Sequence, residues 1–223
     1  QFNLGVCYEK GQGVEKDLSQ ASNWYLKAAE QGVPSAQFNL GVFYEKGQGL
    51  PQDWSKAAHW YKMAGEQGHA KAQFNLGVCY DNGQGLARDC TQAAEWYRRA
   101  AQQGHAAAQF NLGVCYEKGQ GVEKDLSQAS NWYLKAAEQG VPSAQFNLGV
   151  FYEKGQGLPQ DWSKAAHWYK MAGEQGHAKA QFNLGVCYDN GQGLARDCTQ
   201  AAEWYRRAAQ QGHAAAQFNL GVC

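Results

Sequence analysis

Cysteine is the residue type with the most reactive chemistry to offer in this chain of 223 residues. Cys79 lies near the end of one predicted helix, and Cys90 follows the predicted first capping residue of the next. Antiparallel pairing of these helices would bring the two sulfurs together, so Cys79–Cys90 and its copy Cys187–Cys198 are candidate disulfides. The alternative is a pair of buried free thiols that act as small apolar residues. No C-x-x-C motif occurs, which argues against a zinc ribbon or a redox motif.

Histidine does not form a metal-binding pattern. His69 and His105 occupy the same slot one repeat apart, whereas zinc ligands must all lie within about 2 Å of the metal. Equivalent atoms of stacked repeats are much farther apart than that. The spacing therefore indicates a histidine at the start of a helix or in solvent, and no metal or other cofactor is expected.

The remaining motifs also have structural explanations. Gly11-Gln12-Gly13 lacks the Lys-Ser/Thr of a phosphate-binding loop, and its glycines suit a turn between helices. Neither G-x-S-x-G nor H-E-x-x-H is present. Glu9 and its counterparts recur once per repeat beside a lysine, which is typical of a solvated surface. We therefore expect no catalytic site.

The composition argues against nucleic-acid binding and against a membrane-spanning segment. Lys plus Arg and Asp plus Glu are both 20, which argues against a nucleic-acid binder. No apolar stretch reaches the roughly 18 residues of a membrane span. Hydrophobic residues make up 44% of the chain, as in folded proteins.

A repeat of 36 residues organises the chain. The string QFNLGV begins at residues 1, 37, 73, 109, 145, 181 and 217, and residues 109–216 copy residues 1–108 letter for letter. The sequence predicts a single array, 1–223, with units 1–36, 37–72, 73–108, 109–144, 145–180, 181–216 and a partial unit 217–223. The exact copy fits a recent duplication, an engineered concatenation, or a propagated cassette.

Each unit is predicted to contain two helices, called helix A and helix B. In the second unit, helix A is predicted from Pro34 to Lys46, and helix B opens after Asp53, a good N-cap. Apolar residues recur at helical spacing in both segments, and Gly68 suits the left-handed stop of helix B. Gly41, in the middle of helix A, predicts a close crossing by the ring of Trp60 or Tyr61. The fold class is therefore all-α: a solenoid of antiparallel helix pairs.

The pattern Ala-Gln-Phe-Asn-Leu-Gly-x-x-Tyr, then Gly-x-Gly, Asp, Ala-x-x-Trp-Tyr, Ala and Gly, resembles the Sel1-like repeat family. This family is related to tetratricopeptide repeats, and the resemblance spans all six full units. It implies a right-handed superhelix and a role as a scaffold or adaptor for other proteins. A cysteine-rich branch of the family bridges its helix pairs, but with cysteines placed elsewhere in the unit.

An asparagine ladder is the candidate binding surface. In the architecture that the resemblance implies, helix A lines the concave face. An asparagine amide there can donate to and accept from the main chain of a peptide, with Lys10 and Lys46 nearby. The alternative is a structural tie from each asparagine to the backbone of the neighbouring repeat. The groove candidates are Asn3, Asn39, Asn75, Asn111, Asn147 and Asn183.

Two functions remain open at this point. The first is a non-catalytic protein-interaction scaffold with a protein or peptide partner on the concave face. The alternative is a structural array that self-assembles head to tail, because Phe2 and Phe218 lie in terminal helices with no predicted polar cap. Uniform groove residues from unit to unit favour the structural role or a repetitive ligand.

Overall fold

A computed structural model describes residues 1–220; the predicted partial unit 217–223 therefore lies partly outside the described residues, and Cys223 lies wholly outside them. Residues 1–220 form helices joined by short loops and contain no strand, as predicted. The helices are α1 Phe2–Lys10, α2 Leu18–Glu30, α3 Pro34–Lys46, α4 Trp54–Glu66, α5 Ala70–Asn82, α6 Cys90–Gln102, α7 Ala106–Lys118, α8 Leu126–Glu138, α9 Pro142–Lys154, α10 Trp162–Glu174, α11 Ala178–Asn190, α12 Cys198–Gln210 and α13 Ala214–Leu220.

Aspartate side chains fix the start of each helix B. Asp53, for example, is the N-cap of α4, and its carboxylate accepts the amide of Lys56 at 3.0 Å. This bond satisfies one of the orphan amides in the first helical turn. Helix A ends on a glycine in the left-handed conformation, such as Gly47 at φ 66°. The bounds predicted for α3 and the N-cap of α4 are confirmed.

The close crossing predicted at Gly41 is confirmed, and Tyr61 is the residue that crosses. A Cβ atom built on Gly41 would lie 2.6 Å from the Tyr61 ring, which is itself fully buried. Gly149 and Tyr169 have the same relationship in the later copy. A glycine thus costs helix propensity but lets helix B lie directly on helix A.

The chain divides into two compact units. The first comprises Gln1–Ala108 with Gln120–Val122, and the second comprises Gln109–Gly119 with Glu123–Cys223. Within the first unit, one core cluster joins α2 to α3 through Tyr25, Ala28, Leu40 and Phe43. The second unit repeats this cluster between α8 and α9. Each core therefore connects helix B of one repeat with helix A of the next, as expected for a solenoid.

Candidate functional site

The predicted asparagine ladder makes side-chain ties between neighbouring repeats. In the second unit, the Tyr133 hydroxyl on α8 donates to the Glu117 carboxylate on α7 at 2.5 Å. The Asn147 side chain, on α9 of the following repeat, interacts with this hydroxyl and lowers the pKa of Tyr133. An amide donor that faces the hydroxyl oxygen has this effect on the pKa, because it favours the charged form of the tyrosine. Asn147 thus interacts with the tyrosine side chain of the preceding repeat.

The same three-residue tie recurs along both units. The Tyr169 hydroxyl donates a hydrogen bond to the Glu153 carboxylate, and Asn183 interacts with the same hydroxyl. In the first unit, the tie is formed by Tyr25 with Glu9 and Asn39, and by Tyr61 with Glu45 and Asn75. Asn3 is exposed, and Asn111 is half-buried.

Burial and the neighbouring carboxylate keep these tyrosines neutral. Desolvation raises the pKa of Tyr133 above its ordinary value, and the hydrogen bond and charge of Glu117 raise it further. The Asn147 side chain opposes this rise in pKa only partly. The hydroxyl therefore remains a donor at every physiological pH, and the carboxylate is held in one orientation.

A depression of about 400 Å³ opens on α7, α9 and α11 in the second unit. Its floor contains Phe146 and Val150, and its polar lining includes groups from all three helices. The lining brings two predicted asparagines together with a lysine equivalent to Lys46; its polar members are Glu117, Asn147, Glu153, Lys154 and Asn183. Lys10 and Lys46 occupy the same helix ends in the first unit, and both are exposed.

A second ladder, of glutamines, has a structural role that the sequence analysis did not assign. Gln37 is buried, and its amide donates to the Ala29 carbonyl of the preceding repeat at 3.1 Å. Its own carbonyl accepts from Gln67 at 2.7 Å. Gln73 repeats this arrangement with Gly65 and Gln103. A polar residue at the same core position of every repeat was the signal that could have revealed it, because a buried amide needs partners.

The candidate disulfides are not formed. Cys79, Cys90, Cys187 and Cys198 are all free cysteines in the described part of the chain. Cys79 is 1% exposed within the core, and desolvation, followed by the charge of Glu45, raises its pKa to about 12. The thiolate that disulfide formation requires is therefore scarce. The buried free thiol, which was the alternative, describes Cys79 and Cys187, whereas Cys198 is exposed.

Four histidines are helix caps. Nδ1 of His69 accepts the Ala72 amide at 3.2 Å, and its ring stacks on Phe38 of α3 at 4.8 Å. The prediction of a histidine at the start of a helix is thereby confirmed at this residue. The same bond is made by His105, His177 and His213. Within residues 1–220, no group of three or more metal-ligating side chains is present.

These caps predict a stability that falls with acidification. Desolvation, followed by the charge of a nearby lysine, lowers the pKa of His69 and His177. A folded-state pKa below the unfolded value means that stability is complete above about pH 6.5 and is lost as pH falls below it. Replacing both with aspartate, which caps helices down to about pH 4, should flatten the melting-temperature profile between pH 7 and 5.

His59 and His167 supply the control for this prediction. Both are exposed within helices, beside a tryptophan, and neither lies at a helix start. His59→Gln with His167→Gln should leave the slope of melting temperature against pH unchanged. An equal flattening by both pairs of substitutions would contradict the capping explanation.

Helix pairs that recur every 36 residues and pack on their neighbours define an α-helical solenoid repeat protein. The Sel1 repeat profile matches residues 1–33, 34–69, 70–105, 106–141, 142–177 and 178–213. The chain therefore belongs to the Sel1 repeat family, whose members generally act as protein-interaction scaffolds. From the second onward, the matched segments begin at the start of helix A, three residues before the units delimited by the QFNLGV string.

Solved structures of the same family are close to this chain. A protective antigen of uropathogenic Escherichia coli with an SLR fold is 39% identical, with a TM-score of 0.95, over 98% of this chain and 47% of its own. A Sel1 repeat protein from Oxalobacter formigenes is 40% identical, with a TM-score of 0.79, over 93% of this chain and 83% of its own.

The matches to curated relatives cover about one repeat of this chain. The rat DAP3-binding cell death enhancer 1 is 49% identical over 37 residues, which are 17% of this chain and 7% of the rat protein. The chain thus spans a small part of that relative and about half of the Escherichia coli antigen. None of the helices within residues 1–220 has the length and apolar character of a membrane span.

Proposed function

We propose that this chain is a scaffold that holds an extended peptide segment of a partner protein on the surface formed by successive helices A. The observation that carries the proposal is the depression on α7, α9 and α11, because three consecutive repeats contribute polar side chains to one open surface. Its mixture of apolar floor and oriented polar groups is typical of sites that bind by shape and hydrogen bonding.

The tyrosine ties support this proposal by fixing the groove side chains before any partner arrives. Glu117 is hydrogen-bonded to Tyr133, so its carboxylate does not have to be ordered on binding. Side chains that are ordered in advance save roughly 0.5 to 1.5 kcal/mol each on association. Family members are typically non-catalytic adaptors, and no enzymatic role is proposed for this chain. Self-assembly into a structural array stays a prediction.

Alanine substitution of the groove asparagines tests the proposal. Peptides selected from a random display library on the 223-residue protein should bind at least about tenfold more weakly when Asn39, Asn75, Asn147 and Asn183 become alanine. Each substitution also removes an interaction with a tyrosine, so a modest loss of melting temperature accompanies the loss of binding. Binding is measured by calorimetry at a temperature where the variant is fully folded.

Asn23→Ala with Asn131→Ala is the matched control. These asparagines are exposed on α2 and α8, outside the surface formed by helices A. Their replacement should leave peptide affinity unchanged. If the groove variant retains full affinity for every selected peptide, the proposed surface is not the binding site.

A further inference from the structure

The depression on α7, α9 and α11, called the groove below, is lined by hydrogen-bond acceptors. Tyr133 bonds to Oε2 of Glu117 and Tyr169 bonds to Oε2 of Glu153, which leaves Oε1 of each carboxylate without a hydrogen-bond partner among residues 1–220. Asn147 and Asn183 also line the depression, and each side-chain amide has a carbonyl oxygen that can accept. Two carboxylate and two amide oxygens are therefore available in one depression.

The charge of the groove is negative on balance. Two carboxylates line it against one ammonium, that of Lys154. Lys154 is exposed and forms no ion pair with any described residue. Its flexible four-carbon stem lets the ammonium turn out into solvent, whereas the carboxylates are fixed by the tyrosines. A cationic group in the groove would thus meet two oriented negative charges.

We infer that the groove takes an arginine side chain of the bound peptide. This inference rests on the proposed function and adds the chemistry of the ligand to it. A guanidinium carries five N–H donors in a rigid plane, which suits several acceptors held around one cavity. Its three-carbon stem would lie on Phe146 and Val150, which form the apolar floor. Asparagine then acts as an acceptor for a side chain, and not as a reader of the peptide main chain.

The first unit contains the same set of residues. Glu9, Glu45, Asn39 and Asn75 are tied to Tyr25 and Tyr61 as their copies are in the second unit. The first unit therefore contains an equivalent candidate site for an arginine side chain. The repeat at residues 73–108 differs in its carboxylate: the shorter side chain of Asp81 replaces glutamate and lies 3.5 Å from the Tyr97 hydroxyl.

Matched peptides test the inference on the full chain. The probes are end-blocked Ala-Leu-Xaa-Leu-Ala peptides in which Xaa is arginine, citrulline, leucine or glutamate, titrated while the side-chain amide signals of Asn147 and Asn183 are followed by NMR. The arginine peptide should bind at least about tenfold tighter than the citrulline peptide, which keeps the shape but loses the charge. The glutamate peptide should bind most weakly.

Charge variants of the protein locate the effect. Glu9, Glu45, Glu117 and Glu153 changed together to glutamine still accept from the tyrosines but should lose the preference for arginine over citrulline. Glu138→Gln, an exposed carboxylate at the end of α8, should change nothing. Lys46→Gln with Lys154→Gln should strengthen arginine binding, because it removes the opposing charge.

The outcomes separate this inference from the proposed function. If the leucine or glutamate peptide shifts the same asparagine signals with equal or greater affinity, arginine recognition is refuted while the peptide groove stands. If none of the four peptides shifts these signals at concentrations up to about 5 mM, corresponding to affinities too weak for a specific site, the arginine inference is refuted. Failure of the library selection as well would remove the proposed function.

Discussion

Gly41→Ala together with Gly149→Ala should lower the free energy of unfolding, although each change improves helix propensity. Alanine gains about 1 kcal/mol over glycine inside a helix. The new Cβ, however, would lie 2.6 Å from a tyrosine ring that is fully buried and cannot turn away. Overpacking of this kind costs about 1 to 3 kcal/mol per site, so we expect a net loss of up to about 4 kcal/mol for the pair.

Gly65→Ala with Gly173→Ala is the control, since it makes the same change in the same kind of helix. A Cβ at Gly65 would meet its nearest neighbours at 3.3 Å, and the equivalent residues Ala29 and Ala101 already carry one. This pair should leave stability unchanged or raise it. Urea denaturation of both variants measures the free energy of unfolding. A stabilised Gly41 variant would show that the crossing tolerates a methyl group.

Gly49→Ala should destabilise the first unit more than Gly13→Ala does. Both glycines have positive φ, at 68° and 73°, so both substitutions carry the same left-handed strain of about 1 to 2 kcal/mol. Only Gly49 lies against another repeat, where its Cβ would come within 2.2 Å of the Leu18 carbonyl at the start of α2. Displacing that contact adds about 1 to 3 kcal/mol.

Gly13→Ala measures the left-handed backbone strain alone, because a Cβ built on Gly13 has no neighbour within 4 Å. The difference between the two melting temperatures therefore measures the contact between repeats. Circular dichroism on both variants is sufficient. Equal losses would mean that the loop moves off α2 without cost, and that Gly49 is needed for its backbone conformation alone.

The fold was predictable from the sequence because its determinants are local and repeated. The N-cap aspartate, the stop glycine and the helical spacing of apolar residues act within one helix or one turn, and six copies reinforce each signal. Gly41 was informative for the same reason, since an unfavourable residue kept inside a helix indicates a packing requirement.

The polar ties were harder to predict because they depend on how neighbouring repeats are placed. Asn39 was predicted to lie in a groove or to bind neighbouring backbone, and the structure adds an interaction with the Tyr25 hydroxyl, which sequence spacing does not specify. Only the three-dimensional arrangement shows that Gln37 donates to the Ala29 carbonyl and accepts from Gln67.

The disulfide expectation shows the same limit. Cys79 and Cys90 were paired on chain topology alone, without knowledge of how deeply either sulfur lies. Cys79 belongs to a core cluster with Leu76 and Tyr61, where its thiol stays protonated. Burial depth, which depends on the neighbouring repeat, is what a helical pattern within one unit cannot supply.

The glutamine and tyrosine ties have a consequence for how fast the chain folds. They join residues 8, 16 and 30 positions apart, so each one closes only a short loop of chain. Proteins dominated by such local contacts pay little loop-closure entropy before contacts form, and they fold within microseconds to milliseconds. Folding can therefore start at any adjacent pair of helices and spread in both directions, and damage in one repeat leaves distant repeats able to fold.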